Sequence, residues 1–499
     1  MGHNPVTWIA LAMTDADRAV ARARGKAAIQ GPDDLENIAL RLVDVPEATY
    51  GRYYDGISNR LLWFAQHYLL QPTATRQFSE RTRKDWEQGY RVVNEAVAVA
   101  VLAELEAKGT ATPVLFQDYH LYLAPERVRA ARPDARLAHF IHIPWPESRY
   151  WELLPAEMVQ AIFRGLAAND LIGFQTRRDA HNFLEGAQRF LDDAAPVRDE
   201  RGDVVALDWQ GRRVLVQAYP IAVTPDEVLA SAEGEDAVAA ANCLCEEIDD
   251  RMKLIVRVDR VEPTKNIVRG FQAYERLLRD HAELRGNVTF LALLVPSRQG
   301  MREYRAYERQ IRRQVERINA RFGRPGWQPI VAIFGNQRAR ALACMGRYDV
   351  LLVNPVIDGM NLVVKEGALV NERDGVIVLS RTAGAFEQLG EHALGIPPLD
   401  VWATAEALTR ALAMPADERR ARADALKRIL RAEDAHGWLA AQLADLEQHL
   451  RLMQLARRRG AMELRHRIIP AEAPGSALRG IAGVHASLPD ADDGVAVSM

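Results

Sequence analysis

Short apolar runs, rich in β-branched residues, recur along the chain between longer stretches of helical periodicity. They are VTWIALAM from Val6, PVLFQ from Pro113, LAHFIHI from Leu137, DLIGF from Asp170 and VLVQAY from Val214. LIVRV from Leu254, VTFLALLV from Val288, PIVAIF from Pro329, DVLLV from Asp349 and GVIVLS from Gly375 follow. Near-continuous apolar runs alternating with helices predict parallel sheets covered on both faces, an α/β fold. The two sets of runs are divided by AYPIAVTPDEV, Ala218 to Val228, where two prolines break the pattern. A boundary near residue 220 gives two doubly wound, Rossmann-like units, 1–220 and 221–459. The second closes with a helix-like segment after Asp434 that contains Trp438 and Leu439. Residues 460–499, rich in Ala, Gly, Pro and Asp, are expected to be a disordered tail.

With 499 residues the chain exceeds one ordinary core, in keeping with two units. A formal charge of −3 with 26% charged residues offers no electrostatic footprint for nucleic acid. Cys243, Cys245 and Cys344 lack the second pair or histidines of zinc spacing, and read as reduced thiols. No basic, apolar leader opens the sequence, and no apolar run approaches the ~18 residues of a membrane span. A cytoplasmic protein with no membrane partner is expected; homo-oligomerisation is left open.

Chemistry concentrates where apolar runs end. In NPVIDGMNLVVKEG, after DVLLV, Gly359 allows a tight turn, and Met360, Asn361 and Leu362 offer the amides of a new helix to an anion. Glu366, further along that helix, suits a sugar diol, while Asp358 as helix cap and Glu366 as dipole complement is the purely structural alternative. VRVDRVEPTKN places Arg260 and Lys265 at another strand exit, a fork and a point charge suited to a diphosphate. Arg298 follows the next strand in VPSRQG, and in a parallel sheet these exits converge. In the first half, Asp118 ends a strand in LFQDYHL and His142 ends one in HFIHIPWP, where two prolines stiffen the exit. YYDGISNRLLW, with Tyr54, Asn59 and Trp63 around a glycine, reads as a polar loop offering an aromatic platform for a sugar, with aromatic core packing as the alternative. In TDADR, Thr14 reads as a helix cap and Asp15 and Asp17 as first-turn residues, so no metal site is expected.

With FQDYHL, HFIHIPWP, VDRVEPTKN and DGMNLVVKE in this order, the chain resembles the trehalose-6-phosphate synthase family of retaining glycosyltransferases, from about Trp8 to Leu446. The resemblance implies the GT-B fold, two Rossmann-like domains facing across a cleft. It implies transfer of glucose from UDP-, GDP- or ADP-glucose to glucose 6-phosphate, with no cofactor. By it Arg260 and Lys265 hold the donor diphosphate, Glu366 the ribose, and Asp358 with the amides around Gly359, Met360, Asn361 and Leu362 the glucose and diphosphate. His142 contacts the donor sugar, and Asp118, Tyr54, Trp63 and Arg298 lie around the acceptor.

The family opens with a strand, an N-R-x-P-like sequence and a glycine-rich loop. This chain starts past them, at MGHNPVTWIA, so weaker hold on the acceptor phosphate is expected. HIPWP, PTKN and LVNERD also resemble a pseudoglycosyltransferase relative that couples cyclitols, whereas Met360 and Lys365 match the sugar-transferring members. A transferase with another phosphorylated acceptor and a non-catalytic nucleotide-sugar-binding paralogue stay open.

Overall fold

Every apolar run named above becomes a strand, and the strands fall into two sheets. The computed structural model describes residues 5–25, 28–30, 37–70, 78–201, 204–247, 249, 251–468 and 494–497. The strands are β1 (Val6–Leu11), β2 (Ile29–Gln30), β3 (Ile38–Val43), β4 (Pro113–Gln117), β5 (Arg136–Ile141), β6 (Leu171–Phe174), β7 (Ala195–Arg198), β8 (Val204–Trp209) and β9 (Arg212–Ala218). Then come β10 (Lys253–Arg260), β11 (Val288–Val295), β12 (Ile330–Phe334), β13 (Val350–Val353), β14 (Val376–Ser380), β15 (Leu394–Ile396) and β16 (Gly494–Val497).

The second sheet runs β12-β11-β10-β13-β14-β15, all parallel. That is the doubly wound order, with its switch point between β10 and β13, where ligands of open α/β sheets bind. Its inner strands β11, β13 and β14 are buried on both faces, β11 from Val288 to Leu294 without a break, which is why they read as continuous apolar runs.

The first sheet runs β2-β3-β1-β16-β4-β5-β6-β9-β8-β7, parallel from β3 to β9 with antiparallel strands at both edges. β16 lies parallel between β1 and β4. The expected disordered tail is therefore corrected in two places: the last helix continues to Ile468, and Gly494–Val497 is a strand. The backbone amides of β1 and β4 need partners in mid-sheet, and this segment supplies them. The rest of the expected tail lies outside the described residues.

The chain leaves the first sheet at Ala218 and enters the second unit through the helix Pro225–Glu233. The helix starting at Ala435 crosses back. Its Leu446 packs on Leu115, Phe140 and Tyr219, and its Trp438 indole donates to the Tyr219 carbonyl at 3.0 Å. The linker is pinned from the other side by Lys365, whose ammonium donates to the Ile221 carbonyl at 2.6 Å. Burial pulls the pKa of Lys365 down to about 8. Among the described residues no helix is long and apolar enough to cross a membrane.

Candidate active site

At the exit of β10 the chain makes a single tight turn, Pro263–Lys265. Beneath it the fully buried Arg257 pairs with Asp259 at 2.6 Å and donates to the Lys265 carbonyl at 2.9 Å. That scaffold aims the Lys265 ammonium at Asp358, 2.5 Å away beyond the neighbouring strand β13. Burial alone would drive both groups toward neutrality. Asp358 and Asp259 instead raise the Lys265 pKa, and Lys265 with Asn361 lowers that of Asp358, so the pair is ionised. Asn361, at φ +91°, donates to Asp358 at 3.1 Å from its side-chain amide, and its side-chain oxygen Oδ1 caps the helix Leu362–Val370 by accepting from Val364 N–H. The cap is thus Asn361, and Asp358 is free of that structural duty.

Gly359 is required for approach rather than for an unusual turn. A Cβ there would stand 2.0 Å from the His142 carbonyl oxygen of the first unit. Met360 is buried beside it, and Leu362 is exposed at the helix start. Glu366, on the same helix, is held by Arg338 at 3.1 Å. Arg260 is half exposed, with its guanidinium 6.0 Å from the centre of the Trp63 ring.

The first unit supplies the opposite wall. Asp118 leaves β4 in the left-handed region, φ +62°, and accepts from the His142 amide at 3.2 Å. Burial raises its carboxyl to about 7, against the amides of His142, Tyr119 and Ile143 and the charge of Arg298. The His142 ring is enclosed. Its Nε2–H donates to Gln117 Oε1 at 2.9 Å, since an amide oxygen only accepts, and its Nδ1 accepts from Gln175 Nε2 at 3.5 Å. Burial lowers its pKa to about 4, so the ring is neutral. Both ring nitrogens are engaged within the first unit.

The YYDGISNRLLW stretch is not the expected loop. Arg52–Leu62 forms a wide π-type helix that runs into the helix Trp63–Gln66, and such segments concentrate at functional sites. It stacks Tyr54 between Tyr50 and His120 and turns Trp63 toward the cleft. Arg298, from the second unit and at φ +42°, lies 4.1 Å over Trp63 and donates to Tyr304 at 2.7 Å and Tyr119 at 3.4 Å. Tyr119 in turn donates to Asn59 at 2.8 Å. Arg298 therefore meets Trp63, Tyr119 and the charge of Asp118 across the gap between the sheets.

Sequence reasoning did not single out His67, Glu262, Gln117 and Gln175. His67 stacks on Trp63 at 3.9 Å, and its Nδ1–H donates to the Trp63 carbonyl at 2.8 Å. Burial lowers its pKa to about 4 although Asp358 and Glu262 face it. Its spacing of four residues from Trp63 was a legible signal. Glu262 sat unremarked inside the VDRVEPTKN motif itself. A cavity of about 750 Å³ lined by Arg52, Asp55, Arg60, Lys84 and Gly300 borders the π-type helix but includes none of the expected site residues. Asp15 and Asp17 start a helix capped by Thr14. Among the described residues no cluster of three His, Cys, Asp or Glu side chains could hold a metal.

The family model for glycosyltransferase family 20 matches residues 2–448. A bifunctional trehalose-6-phosphate synthase/phosphatase of Thermoproteus tenax is 35% identical over 88% of this chain, which spans only 56% of that protein. A trehalose-6-phosphate synthase of Klebsiella pneumoniae is 34% identical over 83% of both chains. A validamine 7-phosphate valienyltransferase of Streptomyces hygroscopicus is 30% identical over 88% of this chain and 85% of its own. Among solved structures, a UDP-forming α,α-trehalose-phosphate synthase from Burkholderia xenovorans, in complex with glucose-6-phosphate, superposes with a TM-score of 0.75 at 30% identity. The match covers 89% of this chain and all of that one.

Proposed function

The chain belongs to glycosyltransferase family 20, with the GT-B fold and hexosyltransferase activity that go with it, and from there we propose that it makes trehalose 6-phosphate. The donor is a nucleoside diphosphate glucose, UDP-glucose before GDP- or ADP-glucose, and the acceptor is glucose 6-phosphate. The observation that carries this reading is that Arg298, from the same unit as the Lys265–Asp358 pair, reaches across the cleft to Trp63 and Tyr119 of the other unit.

In this reading Arg260 and Lys265 hold the diphosphate, and the charge growing on it as the C1–O bond breaks is met by fixed cations. Glu366 takes the ribose, and the turn at Gly359 takes the glucose and diphosphate. His142, neutral and fixed, orients the sugar pocket. Asp118, Tyr54, Trp63 and Arg298 receive the acceptor. The acceptor hydroxyl attacks C1 on the face the diphosphate leaves, and its proton passes to a diphosphate oxygen, which retains the configuration. Closure of the two units keeps water from the donor. With cations already at the leaving group, the reaction needs no divalent metal. Activity should survive a strong chelator, and a loss restored by magnesium would overturn that point.

Mass spectrometry of products from UDP-, GDP- and ADP-glucose with glucose 6-phosphate tests the proposal. Trehalose 6-phosphate with nucleoside diphosphate release supports it; donor binding without release would mean a non-catalytic paralogue. The likeness to the valienyltransferase supports one second reading, coupling of a nucleotide cyclitol to a cyclitol phosphate. Product from such a pair, and none from the sugars, would favour it.

A further inference from the structure

Glu262 is fully buried, and one of its carboxylate oxygens carries all of its described side-chain polar contacts. Arg260 Nη1 lies 3.2 Å from that Oε1, Arg298 Nη1 3.6 Å, and Ser297 Oγ–H donates to it at 3.0 Å. The other oxygen, Oε2, is shut in the protein without a partner among the described residues. A buried carboxylate is costly unless cations compensate it, so the anion and the two guanidiniums hold one another in place. The two arginines also close on the same N-terminal side chain, Trp63, at 6.0 and 4.1 Å.

We propose that Glu262 is a positioning residue that sets the spacing between the donor diphosphate and the acceptor phosphate, by fixing Arg260 and Arg298 on one oxygen. The inference rests on the functional reading above, which gives Arg260 to the donor and Arg298 to the acceptor. Two like charges drift apart once the anion between them is neutralised. Each arginine can still follow its own ligand, so either ligand alone still binds. The reacting atoms then lose their register, and misplacement of that kind costs rate rather than affinity.

The test compares the wild type with Glu262→Gln and Glu262→Asp. Glu262→Gln is expected to keep UDP and glucose 6-phosphate binding, each measured alone by calorimetry, within about threefold while kcat falls by about 10²-fold. Glu262→Asp, which restores the charge on a shorter stem, should recover at least part of that loss. An equal fall in both single-ligand affinities together with a lower Tm would show a purely structural role and overturn the proposal. So would an unchanged kcat. If the wild type makes no trehalose 6-phosphate, it is the functional reading that has failed. Calorimetry of UDP with glucose 6-phosphate already bound then decides the present point: about tenfold weaker binding in Glu262→Gln than in the wild type supports it, and equal binding overturns it.

Discussion

Lys265 and Asp358 face each other at 2.5 Å across the exits of adjacent strands, with side chains only 12% and 17% exposed. Each keeps the other charged, so neither can be removed without consequence for its partner. Lys265→Ala should lower kcat by about 10²-fold, the scale of losing one preorganised donor to a developing anion. It also leaves Asp358 uncompensated, and the Asp358 pKa should move up from its depressed value. A change confined to KM would mean that Lys265 binds ground state and transition state alike.

Asp118 has a carboxyl raised by burial to about 7. Below about 4 it is protonated folded or unfolded; between about 4 and 7 only the unfolded chain releases the proton. Its contribution to stability therefore falls as pH rises through that window. For function, a carboxylate that accepts from the acceptor sugar exists only above about 7, so kcat/KM for glucose 6-phosphate should climb through that pH. Asp118→Asn should flatten this climb and leave only the step from the substrate's own phosphate near about 6. Identical profiles in both proteins would remove Asp118 from the acceptor site.

Gly359→Ala would place a methyl 2.0 Å from the His142 carbonyl, a main-chain atom with no rotamer to move. The two units should be held apart. Scattering should show a wider particle with donor bound, and transfer should fall by at least tenfold while UDP binding is kept. Full activity would mean that the contact is dispensable.

Glu366→Gln should weaken UDP binding about tenfold, the scale of losing a charge-assisted hydrogen bond to the ribose. Arg338→Ala, which removes the cation paired with Glu366, should have a smaller effect. Asp358→Asn, which leaves Lys265 without its anion, should change UDP binding less than Glu366→Gln does. The reverse ranking by calorimetry would exchange the roles of the two carboxylates.

Strands buried on both faces, such as β11 and β13, announce themselves as continuous apolar runs, and each of them was read from the sequence. Alternating strands were read less evenly: β1 and β9 were found, and others were not. β3 and β8 mix buried with part-exposed positions, β7 has no buried residue, and β15 is only three residues long. The site showed the same limit. Arg260, Lys265 and Asp358 stand at strand exits and were legible one at a time. Arg260 with Glu262 and Asp358 with Asn361 are local pairs, whereas the meeting of Lys265 with Asp358 and of Arg260 with Trp63 depends on which strands are neighbours and on how the units face, which no local pattern encodes. The π-type helix Arg52–Leu62 buries Tyr53, Ile57, Leu61 and Leu62 at a helical spacing, but the stretch was read as a loop around Gly56.

The strand least legible in the sequence makes the last prediction. Gly494–Val497 runs parallel to β1 on one side and β4 on the other, with Ala496 opposite both Trp8 and Leu115. In a parallel ladder each amide bonds to one neighbour, and a strand flanked on both sides has no spare N–H. Ala496→Pro removes a donor and adds a ring where the pleat has no room, at a cost of about 3 kcal/mol or more by analogy with interior prolines elsewhere. Tm should drop relative to both wild type and an Ala496→Val control, which keeps the amide and favours the strand. Because β4 carries Asp118 at its exit, loosening this slot should raise KM for glucose 6-phosphate while UDP binding, which the proposed function assigns to the second sheet, is unchanged. Equal Tm and KM for the proline and valine variants would mean that the segment does not occupy the slot in solution. The pairing needs of β1 and β4 would then have to be met by another stretch of chain.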